Sequence, residues 1–174
     1  GSSHASIISL IDGKVLYEFG SKDSFSLRGK LSYFDSSALV DAETDTLIYP
    51  GENGILYMIK LNTNYDVNAG TISVAPEVVK WRYKGSRNNS TATVDGSKGW
   101  WFGMEDSAII WRGHLIVSDN GGHMMCINLN TLELVWVQDV LDDTNCTAVL
   151  ELENGHPYVY CSTSFHGGWR ADTN

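Results

Sequence analysis

The sequence predicts an all-β protein, organised as a β-propeller of four-stranded antiparallel blades. The first observation is a repeat: residues 122–131 (GHMMCINLNT) match residues 54–63 (GILYMIKLNT) in their glycine, their apolar run and their final Asn-Thr. A fainter copy occurs at residues 8–17. The second observation is that short apolar segments alternate with turns rich in Gly, Asn and Asp. Four short strands in roughly 40–45 residues, repeated along a chain, are typical of a propeller.

Charge and hydropathy restrict the classes of partner. The chain of 174 residues has a net charge of −9, and its basic residues are scattered. An acidic surface argues against binding to nucleic acid or to an anionic membrane through a basic patch. No apolar run reaches the length of about 18 residues that indicates a transmembrane helix, so no transmembrane segment is predicted. The N-terminus also lacks the basic and apolar regions of a signal peptide.

The three cysteines, Cys126, Cys146 and Cys161, cannot all pair within one chain. No Cys-x-x-Cys motif occurs, which argues against a zinc site or a dithiol redox motif. We interpret all three as buried free cysteines that pack as small apolar residues. A Cys146–Cys161 bridge between neighbouring strands is the alternative.

The N-terminal residues predict a β-hairpin. Residues 6–10 and 14–19 have strand patterns, and the Asp12-Gly13 dipeptide between them is a turn signal. We assign residues 6–20 to the end of one blade. The polar residues 21–33 then connect it to the next unit.

One complete blade is predicted at residues 34–84. Its strands are expected at 34–40, 46–49, 55–61 and 78–83, with an insertion from about residue 64 to residue 76. Nearly every residue of the third strand is apolar, as expected of a sheet that is covered on both faces.

An inter-blade insertion rich in Gly, Ser and Asn is predicted at residues 85–103. Loops of this length without strands or helices are either functional or disordered. The adjacent Trp100 and Trp101 either stack on a ligand or seal the gap between two blades, the more common role for large aromatic side chains.

The second complete blade is predicted at residues 104–138, and residues 143–163 begin a further one. Their strands are expected at 106–110, 115–118, 124–129, 133–137, 145–150 and 157–161. Together the predicted strands amount to about three blades, whereas closed propellers have roughly 4–8. A ring of this chain alone would expose sheet faces and edges. We therefore expect a segment of a larger propeller, completed by the same chain or by another.

The repeat resembles that of the quinoprotein-like (PQQ-like) propeller family. The resemblance rests on Ser-Ser-Ala at 36–38, Leu-Ile-Tyr-x-Gly at 47–51, residues 54–63 and a closing tryptophan, and it extends from about residue 8 to residue 161. It implies a seven- or eight-bladed ring. Relatives include quinone-dependent dehydrogenases and non-catalytic scaffolds, so the resemblance indicates a fold and not one activity. It also implies an extracellular or bacterial cell-envelope location.

A quinone site of that family would need an adjacent cysteine pair, a tryptophan floor and a calcium ion held by Glu and Asn near a catalytic Asp. This chain has no Cys-Cys pair, and no such set of residues can be matched. We therefore expect no catalytic residue, no cofactor and no metal site. PQQ and calcium enter only under the alternative function, a PQQ-dependent dehydrogenase whose cofactor site lies largely outside this segment.

Acidic residues and one asparagine at the starts of the first strands are the best binding candidates. Repeat symmetry would place them around the mouth of the central channel, where they could hold a cation such as calcium or a basic peptide. They are Asp35, Glu105, Asp106, Asp143 and Asn145. The alternative is that they are solvated turn and cap residues, which Asp and Asn favour. Further ligand-binding candidates are Trp100, Trp101, His166 and Trp169. The predicted function is non-catalytic binding or scaffolding of a protein, peptide or glycan.

Overall fold

The computed structural model describes residues 4–20, 33–83, 103–141 and 143–164. These residues form fourteen β-strands and no helix. The strands are β1 (Ala5–Ile8), β2 (Val15–Phe19), β3 (Leu39–Asp41), β4 (Thr46–Pro50), β5 (Leu56–Lys60), β6 (Asn64–Asp66), β7 (Thr71–Ser73), β8 (Glu77–Trp81), β9 (Ile109–Trp111), β10 (His114–Ser118), β11 (His123–Asn128), β12 (Leu134–Asp139), β13 (Val149–Glu153) and β14 (His156–Tyr160). The predicted all-β class is confirmed.

The strands pair into small antiparallel sheets. The first full sheet has the order β3–β4–β5–β8, and the second full sheet has the order β9–β10–β11–β12. The N-terminal pair is β1–β2 and the C-terminal pair is β13–β14. The predicted insertion between the third and fourth strands of the first full sheet is itself a hairpin, β6–β7. A hairpin suits this position because it pairs its own backbone groups and leaves the register of β5 with β8 unchanged.

The two middle strands of each full sheet are apolar on both faces. In the first full sheet, Leu47 and Tyr57 pack on the N-terminal pair, whereas Ile48 and Met58 pack on the second full sheet. This division follows from the pleat, because successive side chains of a strand point to opposite faces. The near-continuous apolar sequence of β5 is therefore explained by burial on both sides.

Three apolar layers hold the sheets in a face-to-face stack. The layer under the N-terminal pair is aromatic, with the rings of Phe19 and Tyr57 centred 5.1 Å apart. The layer between the full sheets includes Met58 and Met125, both almost fully buried. The layer under the C-terminal pair is thinner and contains Cys126. The order of the stack follows the order of the chain.

Equivalent positions of successive repeats are joined by the same kind of hydrogen bond. The Ser37 backbone N–H donates to Ser107 Oγ at 2.7 Å. The Ser107 N–H in turn donates to Thr147 Oγ1 at 3.1 Å. Each of these residues lies just before the first strand of its repeat, so the starts of β3, β9 and β13 lie side by side.

The first strand of each repeat begins later than the sequence pattern predicts. The predicted starts at residues 34, 106 and 145 become Leu39, Ile109 and Val149. The small polar residues in front of these strands form bonds outside the ladder. The Ser107 hydroxyl, for example, accepts a hydrogen bond from the Ser37 backbone N–H of the neighbouring repeat. The pattern predicted strand there because it does not distinguish a ladder bond from a bond between repeats.

The cysteines are all free, so the alternative Cys146–Cys161 bridge is not formed. Cys126 is buried in the layer between β11 and the C-terminal pair, as predicted. The prediction of burial is wrong for Cys146 and Cys161, which are exposed. Among the described residues, a sheet packs on only one face of the C-terminal pair, so the side chains of this pair are less covered than those of the full sheets.

Within the described ranges, no helix has the length and apolar character needed to cross a membrane.

Removing a side chain from the layer between the full sheets should destabilise the protein strongly. Leu115 is 0% exposed in that layer. We expect Leu115→Ala to lower the free energy of unfolding by about 2–5 kcal/mol, because it loses buried area and leaves a cavity. Urea unfolding followed by tryptophan fluorescence measures this. Leu10→Ala, at a fully exposed position, is the matched control and should change stability little. Equal losses in the two variants would contradict the proposed double-sided core.

Candidate functional site

One loop in each repeat is fixed to the chain segment that enters the first strand. The bond is the same in all three repeats: the backbone N–H of Glu52, Asn120 or Ser164 donates to the carbonyl of Tyr33, Gly103 or Asp143. The lengths of these bonds are 3.1, 2.8 and 2.7 Å. Repeat-equivalent side chains are therefore held at one end of the stacked sheets.

The polar side chains at this end come from two repeat positions. The first position lies two residues before the bridging Ser37, Ser107 or Thr147, and the second lies in the loop after the second strand. The first position is occupied by Asp35, Glu105 and Asn145, and the second by Glu52, Asn120 and Ser164. With Asp143 these residues form the acidic cluster.

Glu105 connects the second repeat to the third. Its Oε1 accepts a hydrogen bond from Asn120 Nδ2 at 3.0 Å. The Asn145 amide, with its nitrogen facing the carboxylates, donates to Glu105 Oε2 at 3.1 Å and to Asp143 Oδ1 at 2.9 Å. In this orientation its oxygen accepts from Ser164 Oγ at 3.3 Å, whereas the opposite orientation would set oxygen against oxygen. The Asn145 nitrogen also lies 3.1 Å from Asp143 Oδ2, so the two amides contact four carboxylate oxygens.

Glu52 connects the first repeat to the others. The residue is only 6% exposed, and the pKa of its carboxyl is raised to about 8, with burial as the largest cause. The other causes of this rise are, in order, a hydrogen bond to Glu105 and the negative charges of Glu105, Asp35 and Asp143. At neutral pH the Glu52 carboxyl therefore keeps its proton and shares it with Glu105. Two carboxylates this close resist ionising together.

Two buried acceptor atoms of the cluster have no hydrogen-bond partner in the described part of the chain. They are Glu52 Oε2 and Asn120 Oδ1. The two residues occupy equivalent places in their repeats, and Asn120 is 3% exposed. Buried polar atoms are nearly always hydrogen-bonded, because leaving one unpaired costs roughly 1–3 kcal/mol. The cluster therefore offers more acceptors than its own donors satisfy.

Of the predicted first-strand residues, Asp106 does not join the cluster. Its Oδ2 accepts a hydrogen bond from the Ser118 backbone N–H at 3.2 Å, and the residue is 2% exposed. Burial raises the pKa of Asp106 to about 8, against the lowering effect of Ser118. Ser36 holds the equivalent position and donates to the carbonyl of Pro50. This position ties the entry of the first strand to the second strand.

A buried hydrogen-bonded pair, Asp119 and His123, shapes the loop next to the cluster. Asp119 Oδ1 accepts from the His123 backbone N–H and from its Nδ1, both at 2.9 Å. In the first repeat the corresponding backbone N–H, that of Ile55, donates to Asn53 Oδ1 at 3.0 Å. His123 is the first residue of β11, whereas the matching Ile55 directly precedes β5. The pair fixes the turn that carries Asn120.

The structure brings Asp35, Glu105, Asp143 and Asn145 into one cluster, while Trp100, Trp101, His166 and Trp169 lie outside the described residues. Sequence reasoning missed Glu52, Asn120 and Ser164. For Glu52 and Asn120 the alignable turns at 50–54 and 119–122 were the available signal, because both residues precede the turn glycine of their repeat.

The described ranges contain no set of side chains already arranged to coordinate a metal ion. No group of three or more His, Cys, Asp or Glu side chains there is arranged to hold a metal ion. The carboxylates of the cluster are instead engaged with amides and with one another.

Comparison of the chain with protein-family models gives no match, and comparison with curated proteins gives none either. Inference about its function therefore rests on its residues and their geometry.

The protonated state of Glu52 should make stability depend on pH. Glu52 binds a proton in the folded chain up to about pH 8, but its usual pKa is 4.5. Unfolding therefore releases a proton between these values, so the free energy of unfolding should fall as pH rises from about 5 to 8. Asp106 contributes in the same direction. Urea unfolding at several pH values measures the slope.

The Glu52→Gln variant separates the two contributions. Because Gln has no proton to lose, this variant should show a shallower fall in stability than the wild type. The same change at the exposed Glu43 serves as control and should leave the slope unaltered. A Glu52→Gln slope equal to that of the wild type would contradict the assignment of the proton to Glu52.

Proposed function

We propose that this chain is a segment of a β-propeller that binds a protein, peptide or glycan at the acidic cluster and performs no catalysis there. The observation that carries the proposal is the convergence of polar side chains from three successive repeats on one cluster. Binding sites are commonly built from loops that a rigid scaffold positions. The engaged groups are carboxylates and amides, which suit recognition by hydrogen bonds and charge.

The stacking of the sheets supports the propeller. Blades of a propeller are antiparallel four-stranded sheets packed face to face, and the two full sheets are of this kind. The bonds from Ser37 to Ser107 and from Ser107 to Thr147 bring the starts of the first strands together. Such closeness suits the innermost strands of blades, which lie nearest the central channel.

Exposed side chains support a larger ring. Val149, Tyr158 and Tyr160 lie on one face of the C-terminal pair and are each about half exposed. Large apolar side chains on one sheet face are typical of a surface that another element covers. We propose a further sheet there, from the same chain or from another. The resemblance of the repeat adds the proposal of an extracellular or cell-envelope location.

The quinone-dependent alternative finds no fitting residues in this chain. Its cysteines are separate and free, and none forms the adjacent pair that such a site needs. Addition of PQQ and calcium, followed by the absorbance of the cofactor and a dye-coupled alcohol oxidation, tests this alternative directly. Uptake of PQQ with dye reduction would replace the binding function by an oxidoreductase function.

Capture experiments test the binding function. The immobilised chain is exposed to a bacterial envelope extract and to a glycan array, beside a Glu52→Gln/Glu105→Gln double variant and a Glu43→Gln control. We expect the wild type and the control to retain the same ligand and the double variant to retain it at least tenfold more weakly. A loss of this size corresponds to about 1.4 kcal/mol. Circular dichroism verifies that the variants are folded.

Two results would contradict the proposal. One is a ligand retained equally by the wild type and by the double variant, which would place binding elsewhere on the chain. The other is the absence of any retained protein or glycan from the wild type in both formats.

A further inference from the structure

We propose that the acidic cluster binds an ammonium or guanidinium group, presented by a lysine or arginine side chain of a peptide ligand. The proposal rests on the binding function and names the chemistry that the cluster recognises. It starts from the two buried acceptors, Glu52 Oε2 and Asn120 Oδ1, that have no hydrogen-bond partner in the described ranges. Both need an N–H or O–H donor to offset the loss of water.

The negative charge of the cluster selects a cationic donor. Glu105, Asp35 and Asp143 are close enough to Glu52 for their negative charges to raise its pKa. A neutral donor would satisfy the acceptors but leave this repulsion in place. A cationic N–H donor satisfies the unpaired acceptors and also offsets the repulsion between the acids. Hydrogen bonds that involve a charged group are about twice as strong as neutral ones.

The arrangement of the acceptors favours an organic cation over a metal ion. A calcium ion requires about six to eight oxygen ligands at short distance, and no described set of three acidic, histidine or cysteine residues is arranged for a metal. Both carboxylate oxygens of Glu105 are already engaged with Asn120 and Asn145. The two acceptors without a partner, an amide oxygen and a carboxyl oxygen, can take two of the N–H donors of an ammonium or of a guanidinium fork.

Binding of a cation should release the proton of Glu52. A positive charge beside the carboxyl favours its ionised form, against the burial and the three neighbouring acids that now hold the proton in place. The acids facing Glu52 are Glu105 from the second repeat, Asp143 from the third and Asp35 from its own. Affinity for a cationic peptide should therefore rise from pH 6 to pH 8.

The test is a titration calorimetry series with acetyl-Gly-X-Gly-amide peptides, in which X is lysine, arginine or norleucine. Norleucine has the length of the lysine stem and carries no charge. We expect the lysine or arginine peptide to bind at least tenfold more tightly than the norleucine peptide. Measurement at pH 7 in two buffers with different heats of ionisation should show net proton release, which Glu52→Gln abolishes. Glu43→Gln should behave as the wild type.

Two further probes distinguish a peptide side chain from a free amine and from a metal ion as the occupant of the cluster. Spermidine presents ammonium groups without a peptide, and binding at least tenfold tighter than that of the lysine peptide would identify a free amine as the occupant. Calcium chloride alone tests the metal. Calcium binding that excludes the lysine peptide would overturn the proposal, as would equal affinity for the lysine and norleucine peptides or no binding of any cationic probe at millimolar concentration.

The experiments distinguish a failure of this inference from a failure of the binding function on which it rests. If the chain captures a protein or glycan through Glu52 and Glu105 but binds none of the cationic probes, the binding function stands and the inference about its chemistry fails. If the double variant captures as well as the wild type, the binding function itself fails.

Discussion

Burial of the middle strands on both faces is the constraint on which the remaining structure depends. Sheets of this kind cannot be stable with one face in water, because every second residue of β5 and β11 would then expose an apolar side chain. Each full sheet therefore requires neighbours on both sides, and the stack follows the order of the chain. Stability in such arrays is shared between a repeat and its neighbours and cannot be assigned to one sheet alone.

The same stacking generates the polar cluster. Once the sheets are in register, equivalent loops of successive repeats are brought to one end, and so are their acidic side chains. Glu52 then lies among three other acids in a place with little water. The raised pKa of Glu52 depends on the apolar layers, because these layers fix the spacing of the repeats that carry Glu105 and Asp143. Core packing and the electrostatics of the cluster are therefore coupled.

The sequence is informative where the physical cause is local or periodic. The strands, their turns and the double-sided burial follow from alternation and from the matched decapeptides at 54–63 and 122–131. The starts of the first strands were misjudged, because Ser36 and Ser107 bond outside the ladder of their own strand. Glu52 was missed because its environment depends on Glu105 and Asp143, residues of two other repeats. The convergence of these side chains depends on the tertiary structure. In the sequence, only the symmetry of the repeats indicates it.

The two cluster positions of each repeat carry no part of the apolar layers. They hold acids in the first repeat, an acid and an amide in the second, and an amide and a hydroxyl in the third, behind the same backbone bond. A substitution at either position would change the polar groups of the cluster without removing an apolar contact between the sheets. Repeats that share one backbone arrangement can therefore differ in the polar groups that they place in the cluster. The residues that hold the sheets together and the residues that set the chemistry of the cluster form separate sets.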